Sequence, residues 1–122
     1  IIDGSLARRR TCIDAKRGEI KAFYVQLEFN RGLGSSEADW TDIAWFDHEP
    51  ENERGHDIRR EGIHMDVRNP AGNNWRVEEF PSCPLSRAPR YCEAYFDANY
   101  RSICKKYVRA SGNVDMLPIL VR

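Results

Sequence analysis

Ile20-Lys21-Ala22-Phe23-Tyr24-Val25-Gln26-Leu27-Glu28-Phe29-Asn30 alternates without a break. Phe23, Val25, Leu27 and Phe29 share one face, and Tyr24, Gln26, Glu28 and Asn30 share the other. A period of two with one apolar face is the pattern of a half-buried strand. Such a strand needs neighbours beside it and a covering layer over its apolar side. Arg31-Gly32-Leu33-Gly34-Ser35-Ser36 ends it in a loop. Trp40 to Asp47 is aromatic-rich and reads as a second strand, and the polar run from His48 through Pro50 to Gly55 as a loop. Residues 58–68 are predicted as a third strand. Ile63, Met65 and Val67 would then face the core, with Arg60, His64, Asp66 and Arg68 on the opposite side. Asn69 to Asn74 is a dense turn signal, and Trp75 to Phe80 a fourth strand.

Beyond Pro84 the period changes. Cys92, Phe96, Tyr100, Ile103 and Tyr107 recur at steps of four, four, three and four, which is one stripe of a helix. Ser86 suits its cap, Pro89 its first turn and Gly112 its C-terminal stop. The apolar tail Val114 to Val121 reads as an edge strand because Pro118 cannot donate to a ladder. The predicted fold is therefore α+β: an antiparallel sheet of about four strands, with one long C-terminal helix packed on one face. At 122 residues, without repeats or a long linker, the chain reads as a single domain spanning 1–122.

Net charge is zero but unevenly distributed. Residues 1–24 carry six Lys/Arg against three acids, residues 25–66 four against eleven, and residues 67–122 nine against five. The segments sum to +3, −7 and +4, so basic and acidic stretches are expected to pair across the fold. Arg8-Arg9-Arg10 reads as a solvated basic stretch or an anchor on nucleic acid or a partner. No apolar run approaches the roughly 20 residues of a membrane helix, so no membrane partner is expected. The first residues lack a basic region followed by an apolar stretch, which sets the expectation of a cytoplasmic chain. Cys12, Cys83, Cys92 and Cys104 have no zinc-ribbon spacing and are expected as reduced thiols, with Cys92 and Cys104 in the helix core.

The chemistry-bearing residues gather in the acidic third. His48, His56 and His64 fall at intervals of eight, accompanied by Asp47, Asp57 and Asp66. Imidazole exchanges protons near neutrality, and an adjacent carboxylate fixes its tautomer. The same groups are ligands for a divalent metal. Arg59 and Arg60 offer guanidinium groups that match phosphate oxygens bidentately. P-loop, dinucleotide-turn, serine-elbow and zinc-deaminase patterns are absent.

The order strand, Phe46-Asp47-His48, polar loop, Gly55-His56-Asp57, strand with His64, hairpin and closing helix resembles the small TumE-type toxins of bacterial toxin–antitoxin pairs. The resemblance covers residues 20–109. It implies a cytoplasmic toxin bound by a cognate antitoxin protein, with RNA as its target. The leading expectation is thus a toxin-like nuclease acting on RNA from an open sheet face without a cofactor. His64 and His56 would serve as base and acid, Asp66 and Asp57 would orient them, and Arg60 would bind the scissile phosphate. His48, Asp47 and Arg59 complete the candidate set. Two other readings stand beside it: a non-enzymatic module that binds protein through its open face or edge strand, and a His/Asp divalent-metal site.

Overall fold

In a computed structural model describing residues 6–52 and 55–112, the alternating stretch is β2 (Glu19–Asn30). It pairs along its length with β1 (Ala7–Lys16) and with β3 (Trp40–His48). The sheet continues through two short strands, β4 (Met65–Val67) and β5 (Trp75–Val77). Among the described residues its order is β1-β2-β3-β4-β5, antiparallel throughout, with β1 at one edge and β5 at the other. The β1–β2 hairpin closes through Arg17-Gly18, both at positive φ (55° and 79°), the backbone of the tight turn that matches strand twist. Asn30 ties off the next loop: its Oδ1 accepts from the N–H of Gly32 and of Asp39, each at 2.9 Å.

The covering layer is the long helix α2 (Ala88–Ser111), entered from a 3-10 turn at Leu85–Arg87 and stopped at Gly112. Its buried stripe of Cys92, Phe96, Ile103 and Tyr107 lies on the face formed by Phe23, Val25, Leu27, Phe29 and Phe46. Phe46 is the hub, with ring centroids 5.0 Å from Phe96, 5.3 Å from Phe80 and 5.7 Å from Tyr95. Pro89 occupies the first turn as expected, whereas Ser86 lies in the preceding 3-10 turn and caps nothing.

Two expectations need correction. Among the described residues the sheet has five strands, because the basic N-terminal segment is itself a strand. Arg8 bonds Glu28 at 2.8 Å and lies over the Trp40 ring, and Arg9 reaches across to Asp97 (2.7 Å) and Glu93 (2.9 Å) on α2. Those ion pairs stand where apolar contacts would, so β1 carries little hydrophobic alternation to read. The second correction concerns residues 58–68. Ile58–Glu61 is a one-turn helix, α1, and only Met65–Val67 is strand. Asp57 caps α1 by accepting from Arg59 N–H at 3.0 Å, and Gly62 (φ 77°) ends it. These local hydrogen bonds take residues 58–61 out of the strand that the alternation of Ile63, Met65 and Val67 suggested. The tail 114–121 lies outside the described residues.

Basic and acidic segments do meet: Arg8 with Glu28, Arg68 with Asp42, and Arg76 with Asp66. All four cysteines are free thiols, Cys12 exposed and Cys92 and Cys104 buried in α2. Burial pushes the Cys92 thiol well above its ordinary range. Because the thiolate is the reactive form, iodoacetamide at mildly alkaline pH is expected to modify Cys12 quickly. Cys92 and Cys104 should react only on unfolding. Peptide mass spectrometry over a time course checks this, and alkylation of Cys92 at the rate of Cys12 would contradict the packing of α2.

Candidate metal centre

Beyond its last ladder partner with β4, Trp45↔Asp66, strand β3 runs on through Phe46, Asp47 and His48. Alternation sends Phe46 and His48 towards α2 and Asp47 to the opposite face, beside Asp66. Glu49 N–H then bonds the His56 carbonyl at 2.7 Å, which brings the chain at Gly55 and His56 back beside the end of β3. Gly55 is required there, since any Cβ at that position would collide with the Glu49 carbonyl. This closure brings His56 against His64, which enters from the turn between α1 and β4. Their rings meet edge to face with centroids 4.1 Å apart.

Four segments therefore converge. Asp47, His56, His64 and Asp66 each offer one ligand atom, and these atoms all lie within 4.8 Å of one another. Asp47 and Asp66 are half-buried, while His64 is only 5% exposed. Asp47 Oδ1 and His64 Nε2 are buried without a hydrogen-bond partner. Burial pushes the Asp47 carboxyl up, assisted by the Asp66 and Glu49 charges and opposed by His56 and His64. Burial likewise pushes His64 down, with His56 and Arg76 acting in the same direction and Asp66 and Asp47 against it. Burial thus favours the neutral imidazole of His64, the form whose ring nitrogen can serve as a metal ligand. Around the rim, Glu61 Oε2 lies 3.6 Å from His56 Nδ1 while accepting from Asp57 N–H at 2.9 Å. A carboxylate there favours the Nδ1–H tautomer and leaves the His56 Nε2 lone pair for a ligand. Arg76 Nε lies 3.5 Å from Asp66 Oδ1.

The remaining candidates lie elsewhere. His64 is not on an exposed face as expected but is enclosed, with Asp47, His56 and Asp66 around it. His48 is fully buried on the α2 side of the sheet, stacked on Phe23 at 6.0 Å. Its Nδ1 accepts from Ile58 N–H at 3.1 Å. Asp57 is occupied as the α1 cap and as the partner of Arg59, through bonds of 3.0 and 3.3 Å. It orients neither His56 nor His64. Arg59 pairs with Asp57, and Arg60 is exposed on α1. Sequence reasoning left out two rim residues, Glu61 and Arg76. Glu61 carries a signal in retrospect: a carboxylate four residues after Asp57 is positioned to bond back to that residue's N–H. Arg76 has none, since only the β4–β5 register brings it beside Asp66.

The profile of the family described as Domain of unknown function (DUF7718) matches residues 2–113, and the chain belongs to that family. Neither a curated protein nor a solved structure matches it.

Proposed function

We propose that Asp47, His56, His64 and Asp66 hold one divalent cation, and that this domain uses it to hydrolyse phosphodiesters, with RNA as the substrate class. The observation carrying the reading is the convergence of four ligand atoms within 4.8 Å, with a buried atom lacking a hydrogen-bond partner on each of Asp47 and His64. Bonds of about 2.0–2.2 Å put opposite ligands about 4–4.4 Å apart, so modest side-chain movement closes this set on one ion. Two carboxylates and two neutral imidazoles also balance a +2 charge, giving a neutral centre. Mixed nitrogen and oxygen donors without thiolate suit zinc, manganese, iron or cobalt.

The metal-independent alternative needs an acid and a base on either side of a phosphate. His56 and His64 are in ring contact, which leaves no room for a phosphodiester between them. When bound, the ion supplies Lewis acidity and a nucleophilic water at neutral pH. Glu61 holds the His56 tautomer, and Arg76, with its side chain 44% exposed beside Asp66, offers a guanidinium to a phosphate oxygen. In the hydrolysis, water oxygen bonds to phosphorus, one P–O ester bond breaks, and the leaving oxygen takes a proton. RNA, a cytoplasmic setting and a cognate antitoxin follow from the likeness to TumE-type toxins.

The test uses protein stripped by a chelator and reloaded with zinc, manganese or cobalt, then incubated with single-stranded RNA and DNA oligonucleotides. RNA cleavage should depend on added metal, and Asp66→Ala should lower it at least ~100-fold, since even outer-shell changes cost 10–100-fold. One metal per chain with cleavage of neither polymer would favour a second reading. Four protein donors can complete a tetrahedral site, and the ion would then be a staple fixing loop 49–57 to the sheet.

A further inference from the structure

Asp47 and Asp66 share their face of the sheet with two large rings. Tyr24 on β2 is directly opposite Asp47, and Trp45 on β3 is directly opposite Asp66. Opposed residues of an antiparallel pair carry Cβ atoms about 4.5–5.5 Å apart, and diagonal ones about 7–8 Å. Each carboxylate therefore has an aromatic cross-strand neighbour, and the two rings are diagonal to each other. The ladder extends the Trp45 row both ways, through Gln26 to Arg10 on β1 and through Asp66 to Arg76 on β5. α2 covers the opposite face, leaving Tyr24, Gln26 and Trp45 half-buried and Arg10 and Arg76 exposed. We propose that this face is a platform for single-stranded RNA, with bases stacked on Tyr24 and Trp45 and phosphates reaching Arg10 and Arg76.

The platform rests on the metal-dependent reading of the same face, which supplies the choice of RNA, and adds how the strand is held. Neither ring is among those packed in or against the core, whose aromatics Phe23, Phe29 and Phe46 point to α2. Rings on a sheet beside cations hold unpaired strands because every base offers a π-face, whatever its identity. A duplex cannot use them, since its bases already stack and pair within the helix. Arg68 lies over the Trp45 ring at 5.2 Å and is itself bonded to Asp42 at 3.0 Å, so that ring does not have to be ordered on binding. The nearby carboxylates are engaged: Glu28 with Arg8, Asp42 with Arg68, and Asp47 and Asp66 with the ion when it is bound.

The test measures fluorescence anisotropy of a labelled 2′-O-methyl oligouridylate of about eight nucleotides, within the site sizes such surfaces occupy. Tyr24→Ala and Trp45→Leu should each weaken binding about fivefold or more, the lower end of what one stacked base contributes. Tyr24→Phe, which keeps the ring, should bind as wild type does. An abasic chain of equal length and charge, and a duplex of equal length, should bind wild type about tenfold more weakly. Stacking does not pass through the ion, so these losses should appear in metal-free and zinc-loaded protein alike. The same losses without any uptake of zinc would support the platform and count against the metal reading alone. Equal affinity for the abasic chain, a comparison that needs no variant to fold, would overturn the proposal. So would absence of binding to the oligouridylate, or unchanged binding in folded Tyr24→Ala and Trp45→Leu.

Discussion

Protein loaded with metal is expected to melt about 10 °C above the chelator-stripped protein, and His64→Ala is expected to erase that difference. Saturation at a hundred times Kd stabilises a folded state by about 2.7 kcal/mol. For a domain of this size each kcal/mol moves Tm by roughly 3–5 °C. His64 supplies one of only two nitrogen donors and is the most enclosed ligand, at 5% exposure. Truncating it also removes packing, so the informative quantity is the metal-dependent change within each protein rather than its absolute Tm. Differential scanning fluorimetry with zinc, manganese and cobalt reads it directly. A wild-type Tm that no divalent ion moves would end the metal reading.

Phe46→Ala should be the most damaging single truncation of the fold, costing about 3–5 kcal/mol. Phe46 is 1% exposed and touches three aromatic rings, Phe80, Tyr95 and Phe96, from two different segments. Its removal leaves a cavity between β3 and α2 that rigid neighbours close poorly. Urea unfolding of metal-free protein isolates this loss from any ligand effect. A cost below about 1 kcal/mol would mean that α2 does not seat where the structure places it.

Wherever packing follows a simple period, the chain announced its structure. Phe23, Val25, Leu27 and Phe29 face α2 as their alternation implies, and Cys92, Phe96, Ile103 and Tyr107 form the opposing stripe. β1 was illegible because Arg9 meets α2 through carboxylates, and no hydrophobic period records an ion pair. α1 was illegible for a different reason: four residues are too few to display a helical period, and only the cap at Asp57 and the stop at Gly62 mark it. At the site, the clustering of histidines in sequence was visible, but the division between the two faces of β3 separates His48 from Asp47. The convergence of His56 on His64 depends on the loop closed at Gly55, a contact that no spacing rule encodes.

The position of β1 at the rim of the sheet bears on how the molecule behaves in company. Among the described residues β1 has one unpaired side, and a ten-residue strand so placed is a template for self-association, as in domain swapping or fibril growth. Here the template is guarded. Arg8, Arg9 and Arg10 crowd its beginning, a bulge interrupts its register between Asp14 and Ala15, and Lys16 closes its end. Two copies meeting parallel and in register along that rim would set guanidinium against guanidinium, and like charges directly opposite are repulsive. The same short run of cations, of which Arg9 also ties the strand to α2, thus keeps crowded copies dispersed. Neutralising the exposed Arg10 would first be felt as precipitation, before any loss of fold.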